Sequence, residues 1–160
     1  MTEYKLDIPT QIDYARRWAF SHNPRFYNFE HLGGDCTNFV SQCILAGGAV
    51  MNYTRDTGWY YNSLRDRAAA WTGVEFFCRF MVNNKSTGPF GELVPVYAAA
   101  PGDVIQLGDG IGYYHSLFVI DVKEGVPYIA AHTYPAFDRP LTSYHYEQLR
   151  CIRIIGARRW

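Results

Sequence analysis

The chain has no excess of charge of either sign. Its 160 residues carry 15 Lys and Arg against 15 Asp and Glu, a formal net charge of zero. Such a surface builds no long-range attraction for nucleic acid or an anionic bilayer, so neither is expected as a partner. No apolar run approaches the roughly 20 residues that a membrane helix needs. The first twenty residues include Glu3, Asp7 and Asp13 and lack a basic start followed by an apolar stretch, so no secretory leader is expected. As it stands the chain reads as cytoplasmic, or as extracellular or cell-wall if it is a domain excised from an exported protein. There is no Cys-x-x-Cys pair, which argues against a zinc site; neither metal nor cofactor is expected. Repeats, low-complexity tracts and linkers are also missing, so residues 1–160 read as one domain, long enough to bury a core without staples. Of the four cysteines, Cys36 and Cys43 fall two turns apart on one helix, about 10 Å. That separation is too large for a disulfide, and free thiols fit a reducing compartment.

What is present is aromatic side chain, 17% of the residues, with 13 tyrosines. Tyrosine packs its ring and keeps its hydroxyl wet, a habit that suits cleft walls. Ile8 to His22 reads as a first helix, with Pro9 at its start and Asn23-Pro24 beyond its end. A second runs from Cys36 to Ala46, with Cys36, Phe39, Val40, Cys43 and Ile44 on one stripe and Gly47-Gly48 as a stop. A third covers Trp71 to Asn83. Strand-like segments follow: Val104 to Leu107, Tyr113 to Val122, Val126 to Thr133 and Cys151 to Ile155. Glu124-Gly125 has the composition of a hairpin turn. Helices first and antiparallel strands after define an α+β class.

Cys36 stands out within Gly33-Gly34-Asp35-Cys36-Thr37-Asn38-Phe39-Val40-Ser41-Gln42. A Gly-Gly turn and an acidic residue suited to N-capping lead straight into the helix. N–H groups of a first helical turn favour thiolate over thiol. His115 and His132 lie far downstream on strand-like segments, and a cysteine followed at a distance by histidines is the outline of a cysteine hydrolase. If Glu124-Gly125 is a two-residue loop, paired positions sum to 249. His115 and His132 then become diagonal neighbours on one face, within about 7–8 Å at Cα. A slip of one residue would put them on opposite faces. His22, His31 and His145 receive no role.

Gly34 to Gln42 resembles the nucleophile motif of the Putative amidase domain family, a papain-like group similar to the NlpC/P60 and CHAP amidohydrolases. Gly58-Trp59-Tyr60-Tyr61, Pro101-Gly102-Asp103-Val104-Ile105-Gln106, His115-Ser116 and Ala131-His132-Thr133 resemble further segments of that family, in the same order. The resemblance implies a papain-like fold in which the nucleophile helix packs on an antiparallel sheet. It also implies a nucleophile, a general-base histidine and a polar residue that orients the histidine. Carried over, these are Cys36, His115 and His132, with Asp138 and Asp121 in reserve for the third place. The main-chain N–H of Cys36 and the hydroxyl of Tyr27 are the candidate oxyanion donors. Trp59, Tyr60 and Tyr61 are the candidate substrate wall. The implied activity is hydrolysis of an amide, in a peptide or a peptidoglycan fragment, through an acyl-enzyme. Transfer to an amine by the same dyad, and an inert peptide-binding module, are the alternatives. Oligomeric state is left open.

Overall fold

A computed structural model describes all residues from Met1 to Trp160. In chain order the elements are β1 (Thr2–Tyr4), α1 (Ile8–Trp18), α2 (Cys36–Ala46), β2 (Tyr61–Ser63), β3 (Asp66–Arg67), α3 (Ala69–Thr72), α4 (Val74–Asn83), β4 (Gly88–Val94), β5 (Val104–Gly108), β6 (Tyr113–Lys123), β7 (Val126–Ala131), β8 (Ala136–Pro140) and β9 (Gln148–Arg159). Seven strands form one antiparallel sheet in the order β1-β9-β5-β6-β7-β8, with β4 also paired to β9. The α+β expectation holds. Helices α1, α2 and α4 cover one face, over a core that includes Phe39, Ile44, Trp59, Trp71, Phe118 and Ile152. The other face carries a smaller cluster of Ile105, Leu107, Leu117, Val119, Ile129 and Leu141.

α2 explains why its motif is so particular. Residues 36 to 44 are all buried, so the helix has no solvent face. Its apolar side packs in the core, and its polar side chains each find a partner on a different element. Thr37 shares a hydroxyl–hydroxyl bond of 2.9 Å with Ser116 on β6. Asn38 donates to the carbonyl of Tyr27 at 3.0 Å and accepts from the Trp71 indole at 2.9 Å. Ser41 donates to the Trp71 carbonyl and accepts from the Trp59 indole. Gln42 accepts from the Tyr14 hydroxyl at 2.5 Å. The run Thr-Asn-Phe-Val-Ser-Gln is therefore the wiring of a buried helix.

Three boundaries differ from expectation, each for a local reason. α1 stops at Trp18 because the Trp18 carbonyl is taken by the His132 ring at 2.6 Å and by the Ser21 N–H. The helix expected over Trp71–Asn83 is two, α3 and α4, divided at Gly73, whose extended backbone (φ −103°, ψ 128°) breaks the ladder. β4 (Gly88–Val94) begins inside Asn84 to Pro89, which reads from its composition as a turn-rich break. Gly91 is needed there because a Cβ would come within 2.1 Å of the Arg153 carbonyl on β9.

The β6–β7 hairpin decides the placement of both histidines. Glu124 and Gly125 have φ of 51° and 79°, the two left-handed residues of a type I′ turn, and Lys123 pairs with Val126 as expected. Between Val119 and Asp121 the register shifts, leaving Ile120 as an extra residue, so that Val119 pairs with Ile129 and Phe118 with Ala130. Beyond the bulge, paired positions sum to 248. Extended one step, that register sets His132 opposite Ser116, and His115 falls on the other face.

Candidate active site

Cys36 is the first residue of α2 and is only 7% exposed. The sulfur faces β6. Burial pushes its thiol above the ordinary cysteine value, against the lowering effect of the Ser116 main-chain N–H and of the Thr37 hydroxyl and N–H. The negative charge of Asp35 pushes the same way as burial. The expected resting thiolate is thus corrected to a resting thiol. Desolvation outweighs the helix terminus here, and burial likewise raises the other three cysteines.

His115 precedes the Ser116 amide. On β6, Ser116, Phe118 and Ile120 face the helices, whereas His115 shares a face with Leu117 and with its cross-strand partner Leu107. Cys36 and His115 therefore approach one stretch of β6 from opposite sides, and no hydrogen bond joins them. β7 pairs with β6 only from Phe118 onward, so Tyr113 to Leu117 have no β7 ladder partner on that side. The His115 ring is 6% exposed and its Nε2 has no partner. Burial first, and the Arg139 charge second, lower its pKa to about 4, so the ring is a neutral base. Its polar neighbour is Tyr144, 6.3 Å between ring centroids, whose buried hydroxyl is also unpartnered. The Arg139 guanidinium lies 3.7 Å over the Tyr144 ring. No local motif marks this Tyr144–Arg139 surround, which depends on how the chain after β8 folds back.

Neutral burial has a stability consequence. The unfolded chain takes a proton at His115 near pH 6.5, and the folded site refuses it until about pH 4. Unfolding thus binds more protons across that window, and stability falls as pH drops from 6.5 to 4, by up to about 3 kcal/mol. His115→Asn is expected to flatten this part of the acid slope. Urea melts of both proteins at pH 7 and pH 4 measure the difference, and parallel slopes would show that the ring takes its proton freely.

His132 does not orient His115. The Ile120 bulge turns it to the helix side, where its ring stacks on Phe39 at 4.1 Å. Its Nδ1 lies 2.5 Å from Asp35 Oδ2 and its Nε2 2.6 Å from the Trp18 carbonyl. Asp35 is wholly buried and does not cap α2 through its side chain. Its Oδ1 instead accepts from the Phe29 N–H and the Asn38 amide, both at 2.8 Å. His22 Nδ1 stands 3.5 Å from Asp35 Oδ2. Thr133, at a left-handed φ of 51°, is held by Glu30 and accepts from the Asp35 N–H. The reserve candidates do not reach His115 either: Asp138 pairs with Lys123, and Asp121 bonds the next N–H.

The aromatic wall is mostly core. Trp59 is fully buried with its ring 4.6 Å from Trp71, and the Tyr61 hydroxyl accepts from the Tyr27 N–H. Tyr60 is half-buried and stacks near Tyr53. Tyr27 is 40% exposed, rests against Phe29, and makes no hydrogen bond to Cys36. The Pro101-Gly102-Asp103 segment is architectural: Asp103 accepts from the Ala100 N–H and pairs with Arg153. Two surface cavities of about 440 and 570 Å³ are lined by other residues, the first by Asn52, Phe76 and Arg79 among others, the second by Tyr14, Arg17 and Trp18 among others.

The structure is an α+β domain with a cysteine at the head of a buried helix, docked against an antiparallel sheet that bears a buried histidine. The chain belongs to the Putative amidase domain family, whose pattern matches residues 5–155. It is 30% identical over 136 residues to the uncharacterized protein YhbB of Bacillus subtilis (strain 168), a match covering 82% of this chain and 42% of that protein. The chain thus spans less than half the length of that curated relative. No solved structure matches.

Proposed function

We propose that this domain hydrolyses amides through a thioester on Cys36, with His115 as the base. The observation that carries the reading is a buried thiol at a helix start, lying against the amide that follows a buried imidazole with an unspent Nε2. The resting pair is neutral. In the reaction His115 takes the thiol proton as sulfur attacks the amide carbonyl; the same proton then goes to the leaving amine, and water resolves the thioester. The His115 ring must reach round the edge of β6 that lacks a β7 partner for this, and no hydrogen bond holds it back. Main-chain N–H groups at the head of α2 suit the developing oxyanion. The docking of the Cys36 helix on the sheet supports the papain-like arrangement that the resemblance implies. The family resemblance makes short peptides, wall peptides foremost, the first substrates to try, with transfer to an amine as the competing outcome of the same thioester.

The test uses a short peptide carrying a chloromethyl ketone, with labelling at each cysteine read by mass spectrometry. Cys36 is expected to label ahead of Cys43, Cys78 and Cys151, and His115→Ala to slow it at least tenfold. Labelling of Cys36 that is indifferent to His115, or no faster than the other three, overturns the proposal.

A further inference from the structure

The buried group beside the nucleophile has an unusual feature: two acceptors point at each other. The His132 Nε2 faces a main-chain carbonyl, which can only accept, so that nitrogen carries a hydrogen. In a neutral ring the Nδ1 is then a bare lone pair, and it lies 2.5 Å from a carboxylate oxygen of Asp35. Something positive must stand between them. A proton is one answer. The surroundings fit a second, because His22 Nδ1 adds a third lone pair, and the three ligand atoms lie within 4.8 Å of one another.

We propose that His22, Asp35 and His132 form a binding site for a divalent cation of the zinc type, which replaces the shared proton. The outer bonds are those that metal ligands use. His132 gives its other N–H to the Trp18 carbonyl, and the second oxygen of Asp35 is fixed by the Phe29 N–H and the Asn38 amide. Tetrahedral bonds of 2.0–2.2 Å place ligand atoms about 3.3 Å apart. His22 and Asp35 already stand at 3.5 Å; the Asp35–His132 distance has to open by about 0.8 Å from its 2.5 Å, and the His22–His132 distance, within 4.8 Å, has to settle to the same edge length. The His22 side chain is 36% exposed, which leaves a way in and a free fourth position for water. Two imidazoles and one carboxylate are borderline ligands suited to Zn²⁺ or Co²⁺ rather than Ca²⁺ or Mg²⁺. The spacing 22, 35, 132 has no short motif, so a search for paired cysteines passes over it. The site uses no atom of Cys36 or His115.

Titration of the whole chain with Co²⁺, followed by its visible absorption, tests this, with calorimetry of Zn²⁺ binding alongside. Wild type and Cys36→Ser are expected to bind one ion alike, without a sulfur-to-cobalt charge-transfer band. His22→Ala is expected to weaken binding at least tenfold, and Zn²⁺ to raise the unfolding midpoint of wild type by several degrees but not that of His22→Ala. No stoichiometric binding to wild type overturns the proposal. So does binding that survives His22→Ala unchanged, or that disappears in Cys36→Ser.

Discussion

Asp35→Ala is expected to lower the unfolding midpoint by roughly 10 °C, the largest stability loss of any single polar substitution in this chain. The carboxylate is fully buried, accepts from the Phe29 N–H and the Asn38 amide, and holds its second oxygen 2.5 Å from the His132 Nδ1. Removing one partner of a buried, bonded pair leaves the others desolvated and unpaired, at about 3–5 kcal/mol. For a domain of this size each kcal/mol moves the midpoint by about 2–4 °C. Asp35→Asn is expected to cost much less. Its carbonyl can still accept from Phe29 and Asn38, and its amide can donate to the bare Nδ1 of a neutral His132. Thermal scans of the two variants against wild type measure this, and an alanine variant within about 3 °C of wild type would show that Asp35 is dispensable to the fold.

Cys36→Ala is expected to remove amide hydrolysis almost entirely, by a factor on the order of 10⁴–10⁶, as loss of a covalent nucleophile does elsewhere. The side chain is small and heads its helix, so the fold should survive with a loss of about 1 kcal/mol or less. Amine release from a wall peptide, followed by mass spectrometry on both proteins, checks the rate. Activity within tenfold of wild type would remove Cys36 from the chemistry.

Much of this architecture was legible because it rests on local signals. The α2 stripe and its Gly47-Gly48 stop put that helix at Cys36–Ala46 from sequence alone. Glu124-Gly125 has the composition of a hairpin turn, and a turn of type I′ forms there. What failed to show was set at a distance. The Ile120 bulge has no signature in its own residues, yet it slips the hairpin by one and sends His132 away from His115. The carbonyl that ends α1 at Trp18 is captured by a ring 114 positions downstream. Asp35 read as a cap because caps are what acidic residues before helices usually are. Its real partners come from residues 29, 38 and 132, which no local window contains. Trp59 and Tyr61 read as cleft because aromatics in a loop cannot be told from core until the helix they cover is seen to have no exposed face.

That enclosed helix also settles which parts of the molecule can give way. Every residue from Cys36 to Ile44 is buried, so any opening toward the Cys36 sulfur comes from what surrounds α2. The candidates are few: the Asn23–Gly34 loop, pinned to the sheet side through Glu30 and Asp35, and the left-handed Thr133–Tyr134 turn that meets it. Both are tied to Asp35, one peptide bond before Cys36, so a shift of either pulls on the head of the helix.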